Sequence, residues 1–310
     1  MGEVVSIKEQ RALTLPWGNE IDSLVIPPTK WIVEDFLPHG LSIISGAPKI
    51  GKSILMTQLC VDVAEGHDFL DTFKVEQGRS VFLSFEEPVG DVRDRIHQIN
   101  SLKTPQLMSV VYAPDDNVDI SWIERLLDSY SDTNLLVLDI ISDFKPIKKS
   151  KSGNIYDEER RFTQIFRRIS EERRIAIVGV CHTNQNEKAV DILTRAQGSN
   201  GFLGTPKTVF IMLRDNRSKL DATFLRTGRK IATKTITISL DTDNMIWQFK
   251  DNDSSLNIGE KIVLFLSSVE GATPKQISDV VGKDSYKQLS RLQKRGAVTN
   301  TNGVYSLAKR

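Results

Sequence analysis

The stretch Gly46-Ala47-Pro48-Lys49-Ile50-Gly51-Lys52-Ser53 constrains everything else this chain can be. It follows the apolar run Leu41-Ser42-Ile43-Ile44-Ser45 and precedes Ile54–Ala64, which reads as a largely buried helix. Strand, glycine loop, helix is the context that a phosphate-binding loop requires. The glycines let the backbone curl until its N–H groups converge on phosphate oxygens. The N-terminus of the following helix adds positive potential at the same place. In this arrangement residues 46–54, from Gly46 to Ile54, cradle ATP. Lys52 reaches the β- and γ-phosphates, and the Ser53 hydroxyl ligates Mg2+.

The chain has 310 residues, enough for one large or two unequal domains. Hydrophobic residues make up 39% and charged residues 26%, the balance of an ordinary globular protein. No apolar stretch approaches 18 residues, so no membrane span is expected. The first residues lack an apolar signal core, which predicts a cytoplasmic protein. Cys60 and Cys181 both lie in apolar runs and are expected to be buried thiols rather than metal ligands.

Charge is unevenly distributed. Residues 255–310 carry nine basic and four acidic residues, net +5, which leaves −4 for the remainder of a chain of net charge +1. A basic tail on an acidic body points to a polyanionic partner.

Four further segments place polar residues at the ends of apolar runs. Ser80–Phe85 reads as a buried strand ending in Glu86-Glu87-Pro88. Carboxylates at a strand end stand where a parallel sheet puts its chemistry, and one of them can polarise an attacking water. Asn134–Asp139 has the Walker B pattern, an apolar strand that delivers Asp139 beside Mg2+, 87 residues after Lys52. Ile175–Cys181 reads as a strand ending in His182, a residue able to hydrogen-bond the γ-phosphate. Leu225-Arg226-Thr227-Gly228-Arg229-Lys230 sets arginines beside a glycine, a pattern suited to an arginine finger from Arg226 or Arg229.

The stretch 143–154 carries Lys145, Lys148, Lys149 and Lys151 among Pro, Ser and Gly, and reads as a basic loop leaving the Walker B strand. Such a loop can neutralise phosphates along a nucleic-acid strand. Residues 184–201, with Lys188 and Arg195, form a second loop of the same kind. Strands are expected over 207–214, 222–227, 234–240 and 245–249, closing the core as a meander.

The chain divides into an arm (1–30), a core (31–250), a linker (251–257) and a C-terminal domain (258–310). The last shows three short helices and a hairpin turning at Asn302-Gly303, the order of a winged helix. Its third helix carries Lys287, Arg291, Lys294 and Arg295, placed to contact DNA.

Taken together, the P-loop, strand-Glu-Glu, strand-Asp, strand-His, Arg195-Ala-Gln-Gly-Ser-Asn200 and Gly228-Arg229-Lys230 resemble the RecA-type ATPases. The pattern is most similar to the RepA-like hexameric replicative helicases of plasmids, phages and mobile elements. Phe85-Glu86-Glu87-Pro88 also resembles the KaiC and RadA branch of that superfamily. The resemblance implies an α/β RecA-like P-loop core with a mostly parallel twisted sheet, followed by the winged helix.

The resemblance also implies roles. Glu86 is the catalytic base with Glu87 assisting, Asp139 holds the metal's water, His182 senses the γ-phosphate, and Arg229 or Arg226 acts across a subunit interface. It implies a hexameric ring translocating on single-stranded DNA, with duplex origin DNA or replication proteins as partners of the winged helix. The alternatives are a DNA-binding regulator or recombination mediator that uses ATP as an assembly switch, and an ATPase with a protein substrate.

Overall fold

A computed structural model of the chain describes residues 28–113, 118–141, 155–182, 205–214, 220–228, 231–250, 258–267, 271–282 and 285–308. Residues 1–27, expected as an arm, and the stretches expected as basic loops, with Lys145, Lys148, Lys149, Lys151, Lys188 and Arg195, lie outside these residues, as does Arg229.

The segment leading to the P-loop forms a small antiparallel ribbon, β1 (Trp31–Val33) and β2 (Leu37–Pro38). Its turn drives Phe36 into an aromatic cluster, where the ring stands 5.1 Å from Phe69, Phe73 and Phe210 and 5.5 Å from Phe224. Aromatic rings at such spacing add specific pair energy to the area they bury.

The core alternates strands and helices: β3 (Gly40–Gly46), α1 (Lys52–Glu65), β4 (Arg79–Ser84), α2 (Val89–Ile99), β5 (Met108–Tyr112), α3 (Ile120–Ser129), β6 (Thr133–Asp139), α4 (Ile155–Arg173) and β7 (Ala176–His182). Four more strands follow: β8 (Thr208–Arg214), β9 (Asp221–Gly228), β10 (Ile231–Asp241) and β11 (Ile246–Lys250). All eleven except the ribbon join one nine-stranded sheet in the order β11-β10-β9-β8-β3-β7-β6-β4-β5. From β5 to β8 every neighbouring pair is parallel. From β8 to β11 every pair is antiparallel, the meander expected from the sequence.

Apolar residues on these strands alternate between two faces, as the period of two demands. Phe82, Leu135, Val137 and Val178 pack with Leu55, Leu59 and Val63 of α1 and with Val92 and Ile96 of α2. Val81, Leu83, Leu136 and Leu138 pack with Ile123 and Leu127 of α3 and with Phe162, Phe166 and Ile169 of α4. Burial on both faces explains why β3, β4, β6 and β7 read as nearly continuous apolar runs. The helix α1 is buried almost throughout, with Leu55–Ala64 all buried, because a sheet, α2 and β11 surround it. Gly66, at φ 78°, ends it in the left-handed conformation. Cys60 and Cys181 are buried free thiols.

The C-terminal residues form α5 (Ile258–Ser267), α6 (Pro274–Val281), α7 (Ser285–Lys294) and a hairpin of β12 (Val298–Thr301) and β13 (Val304–Leu307). They have a core of their own, including Ile262, Leu266, Ile277, Leu289 and Val298. Thr273 and Gln276 form a capping box at the start of α6, with Pro274 in its first turn. Among the described residues, no helix is long and apolar enough to cross a membrane.

Candidate nucleotide site

Parallel pairing brings the ends of four strands to one edge of the sheet. Gly46 of β3 stands directly beside His182 of β7, and Ser84 of β4 beside Asp139 of β6. The strand order leaves β3 and β4 apart although they are consecutive, so the P-loop emerges where the chain's winding reverses. This is the crevice in which open α/β sheets bind ligands.

The loop itself turns through two left-handed residues, Lys49 at φ 60° and Gly51 at φ 98°. Gly51 is the residue before the first turn of α1, and a side chain there would meet both this backbone conformation and the ring of Trp247. The Lys52 ammonium is buried. It donates to the Gly46 and Ala47 carbonyls, both at 2.8 Å, and lies 3.1 Å from His182 Nδ1. Burial lowers its pKa to about 8, against the raising influence of Asp139 and Glu86. The tautomer with its proton on Nε2 lets Nδ1 accept from this ammonium.

Asp139 is also buried, and burial raises its pKa to about 6 although the Ser53 hydroxyl donates to it. The two expected metal-associated residues are therefore hydrogen-bonded to each other. A carboxylate and a hydroxyl joined at the head of a helix are hard oxygen donors of the kind Mg2+ takes, and the buried Asp139 charge calls for a compensating cation. The residues present fit the group.

The two glutamates part company. Glu86 is exposed and close enough to influence Lys52. Glu87 is held by the Ser84 hydroxyl, which accepts from its backbone N–H at 3.0 Å, and by Arg95 of α2, whose guanidinium forks onto its carboxylate at 2.5 and 3.2 Å. Arg95 Nε donates to Thr57 Oγ1 at 2.9 Å, and Thr57 in turn donates to the Ser53 carbonyl. Arg95 thus ties α2, the turn after β4 and the first turn of α1 together. Nothing in the sequence marks it, since the contact spans 38 residues to Thr57 and belongs to no motif.

Arg226 behaves differently from the expectation of a finger. It is buried, and its guanidinium donates to the Asp35 carbonyl in the β1–β2 turn. Burial lowers its pKa. Of the C-terminal cations, Lys287, Arg291, Lys294 and Arg295 are all exposed along and just beyond α7.

The sequence model of the AAA_25 family, an AAA domain, matches residues 8–188. The chain belongs to this family. The AAA_25 chain has no match among curated proteins. Its structure is similar to the ATPase domain of G40P, with a TM-score of 0.57 at 8% identity over 69% of this chain and 85% of that one. It is also similar to a KaiC-like protein from the hyperthermophilic archaeon Pyrococcus horikoshii, with a TM-score of 0.53 at 13% identity over 72% of this chain and all of the other. The AAA_25 chain is a P-loop ATPase with a RecA-like α/β fold.

Proposed function

We propose that this ATPase is a replicative helicase of the RepA-like kind, a ring of six copies that hydrolyses ATP at its interfaces and translocates on single-stranded DNA for a mobile element. The observation that carries the reading is the convergence of Lys52, Ser53, Glu86, Asp139 and His182 on one strand edge, from which the lysine-rich stretch 143–154 also departs. A γ-phosphate contact at the end of a strand that runs on into a basic stretch gives hydrolysis a short route to a bound nucleic-acid strand.

In this reading residues 46–54 hold the triphosphate, with Lys52 turning from the Gly46 and Ala47 carbonyls to the phosphates. Ser53 and Asp139 hold Mg2+, which when bound offsets phosphate charge. Glu86 orients and deprotonates the attacking water, and Glu87 keeps its place through Arg95. His182, bonded to Lys52, reports the γ-phosphate to the following stretch 183–201, where Lys188 and Arg195 contact DNA beside Lys145, Lys148, Lys149 and Lys151. Arg229 supplies the finger in trans, because Arg226 is committed to the Asp35 carbonyl. Residues 258–310 act as a winged helix, with Lys287, Arg291, Lys294 and Arg295 of the exposed surface meeting duplex origin DNA or a replication protein.

A second reading is favoured by Phe85-Glu86-Glu87-Pro88 and by the similarity to a KaiC-like protein: an ATP-switched, DNA-binding regulator or recombination mediator. Strand separation distinguishes the two. The wild-type protein is expected to separate a forked duplex with ATP, whereas Glu86→Gln binds ATP and the fork but separates strands at least ~100-fold more slowly, the usual scale of a lost general base. ATP-dependent binding to DNA without strand separation by the wild type would favour the regulator.

A further inference from the structure

Trp247 lies on β11, the edge strand of the sheet, yet only 1% of its surface is exposed. Its indole Nε1–H donates to the Gly51 carbonyl at 3.2 Å. The ring lies so close to Gly51 that a Cβ built there would stand 2.7 Å from Cζ2. The backbone of the same residue is clamped to α1 by one side chain. Trp247 N–H donates to Gln58 Oε1 at 2.7 Å, and Gln58 Nε2 donates to the Trp247 carbonyl at 2.9 Å. Gly51 and Gln58 are seven residues apart, two turns along one helix face, so β11 grips α1 at two successive points.

The first of these points matters for chemistry. The Gly51 carbonyl accepts both from Trp247 and from Leu55 N–H at 3.1 Å. A peptide unit is planar and trans, so fixing a carbonyl fixes the N–H on its far side. The amide trans to the Gly51 carbonyl belongs to Lys52, the first residue of α1, and helix geometry gives that amide no partner within the helix. Such amides are the ones a P-loop turns toward phosphate. We infer that Trp247 is a positioning residue for nucleotide binding: its indole holds the Gly51–Lys52 peptide so that the Lys52 amide is presented to phosphate, while its backbone anchors that hold on Gln58. The inference rests on the P-loop being the nucleotide site.

Trp247→Phe keeps an aromatic ring against Gly51 and removes only the donor. Full-length W247F is expected to raise KM for ATP about tenfold, the equivalent of one well-placed backbone hydrogen bond, with kcat within about threefold of wild type. ATP is expected to change the tryptophan emission of the wild-type protein, and that change should disappear in W247F although Trp17, Trp31 and Trp122 remain. An unchanged KM with only a lowered melting temperature would make Trp247 a core filler and overturn the inference. Should W247F not fold, Gln58→Met decides, since it releases the Trp247 backbone and leaves the indole in place: a KM for ATP equal to that of the wild type contradicts the anchored hold on the loop. If the wild type binds ATP no better than Lys52→Ala, the nucleotide site itself is wrong. That result is distinct from a wild type that binds ATP and a W247F that binds it equally well.

Discussion

Lys52 carries its charge into a site where 4% of its surface is exposed, and burial lowers its pKa to about 8. The shift has a stability consequence with a definite sign. Between about pH 8 and 10.5 the unfolded chain binds the proton that folded Lys52 has released, so this group makes stability rise with pH across that window. Below pH 8 both states are protonated and the full cost of burying the ammonium is present. Lys52→Met is therefore expected to abolish ATP binding and yet stabilise the nucleotide-free protein by about 1–3 kcal/mol at pH 7, a gain that fades as pH approaches 10. Thermal unfolding of both proteins at pH 7 and pH 10 checks it; a destabilised K52M at pH 7 would contradict it. The residues proposed to meet phosphate stand out in the sequence because each sits in or directly after an apolar run with a short local signature. Arg95, Gln58 and Trp247 do not, because each acts through a partner 8 to 196 residues away that only folding brings near. Arg226 shows the reverse: its Gly-Arg context read as a finger, while its place on β9 turns it inward to Asp35.

The strands of the core were legible to within a residue or two, since burial on both faces leaves little but apolar side chains in β3, β4, β6 and β7. Their order in the sheet was not, because pairing is set by packing of helices over each face and has no local signature. The β1–β2 ribbon has no local signature either: only the burial of Phe36 among four other rings explains its turn. One element is unusually intolerant. Gly179 stands in the middle of β7, three residues before His182, and a Cβ there would lie 2.5 Å from Ile141 Cδ1 and 2.8 Å from Ile43 Cδ1. Gly179→Val is expected to push β7 away from β3 and cost at least about 1–3 kcal/mol, the range of overpacked cores. A denaturant titration measures it, and because Gly46 pairs with His182, ATP binding should weaken in the same variant. A variant as stable as wild type would show that Ile141 and Ile43 give way freely.

Charge divides the molecule: residues 255–310 carry net +5, and the rest of the chain −4. The acidic part holds the AAA_25 match and the candidate nucleotide site, and the basic part presents Lys287, Arg291, Lys294 and Arg295 to solvent. That distribution was readable from residue counts alone. In the proposed helicase the two meet through DNA: turnover at Lys52 should depend on a strand bound by the lysine-rich stretches, and salt should weaken that dependence. The decisive measurement is steady-state phosphate release with and without single-stranded DNA, using Lys52→Ala as the blank. A DNA-coupled motor should release phosphate slowly alone and at least about tenfold faster with DNA, and Lys52→Ala should do neither. Release that is lost in Lys52→Ala but indifferent to DNA would contradict the motor and leave an ATPase whose substrate is a protein.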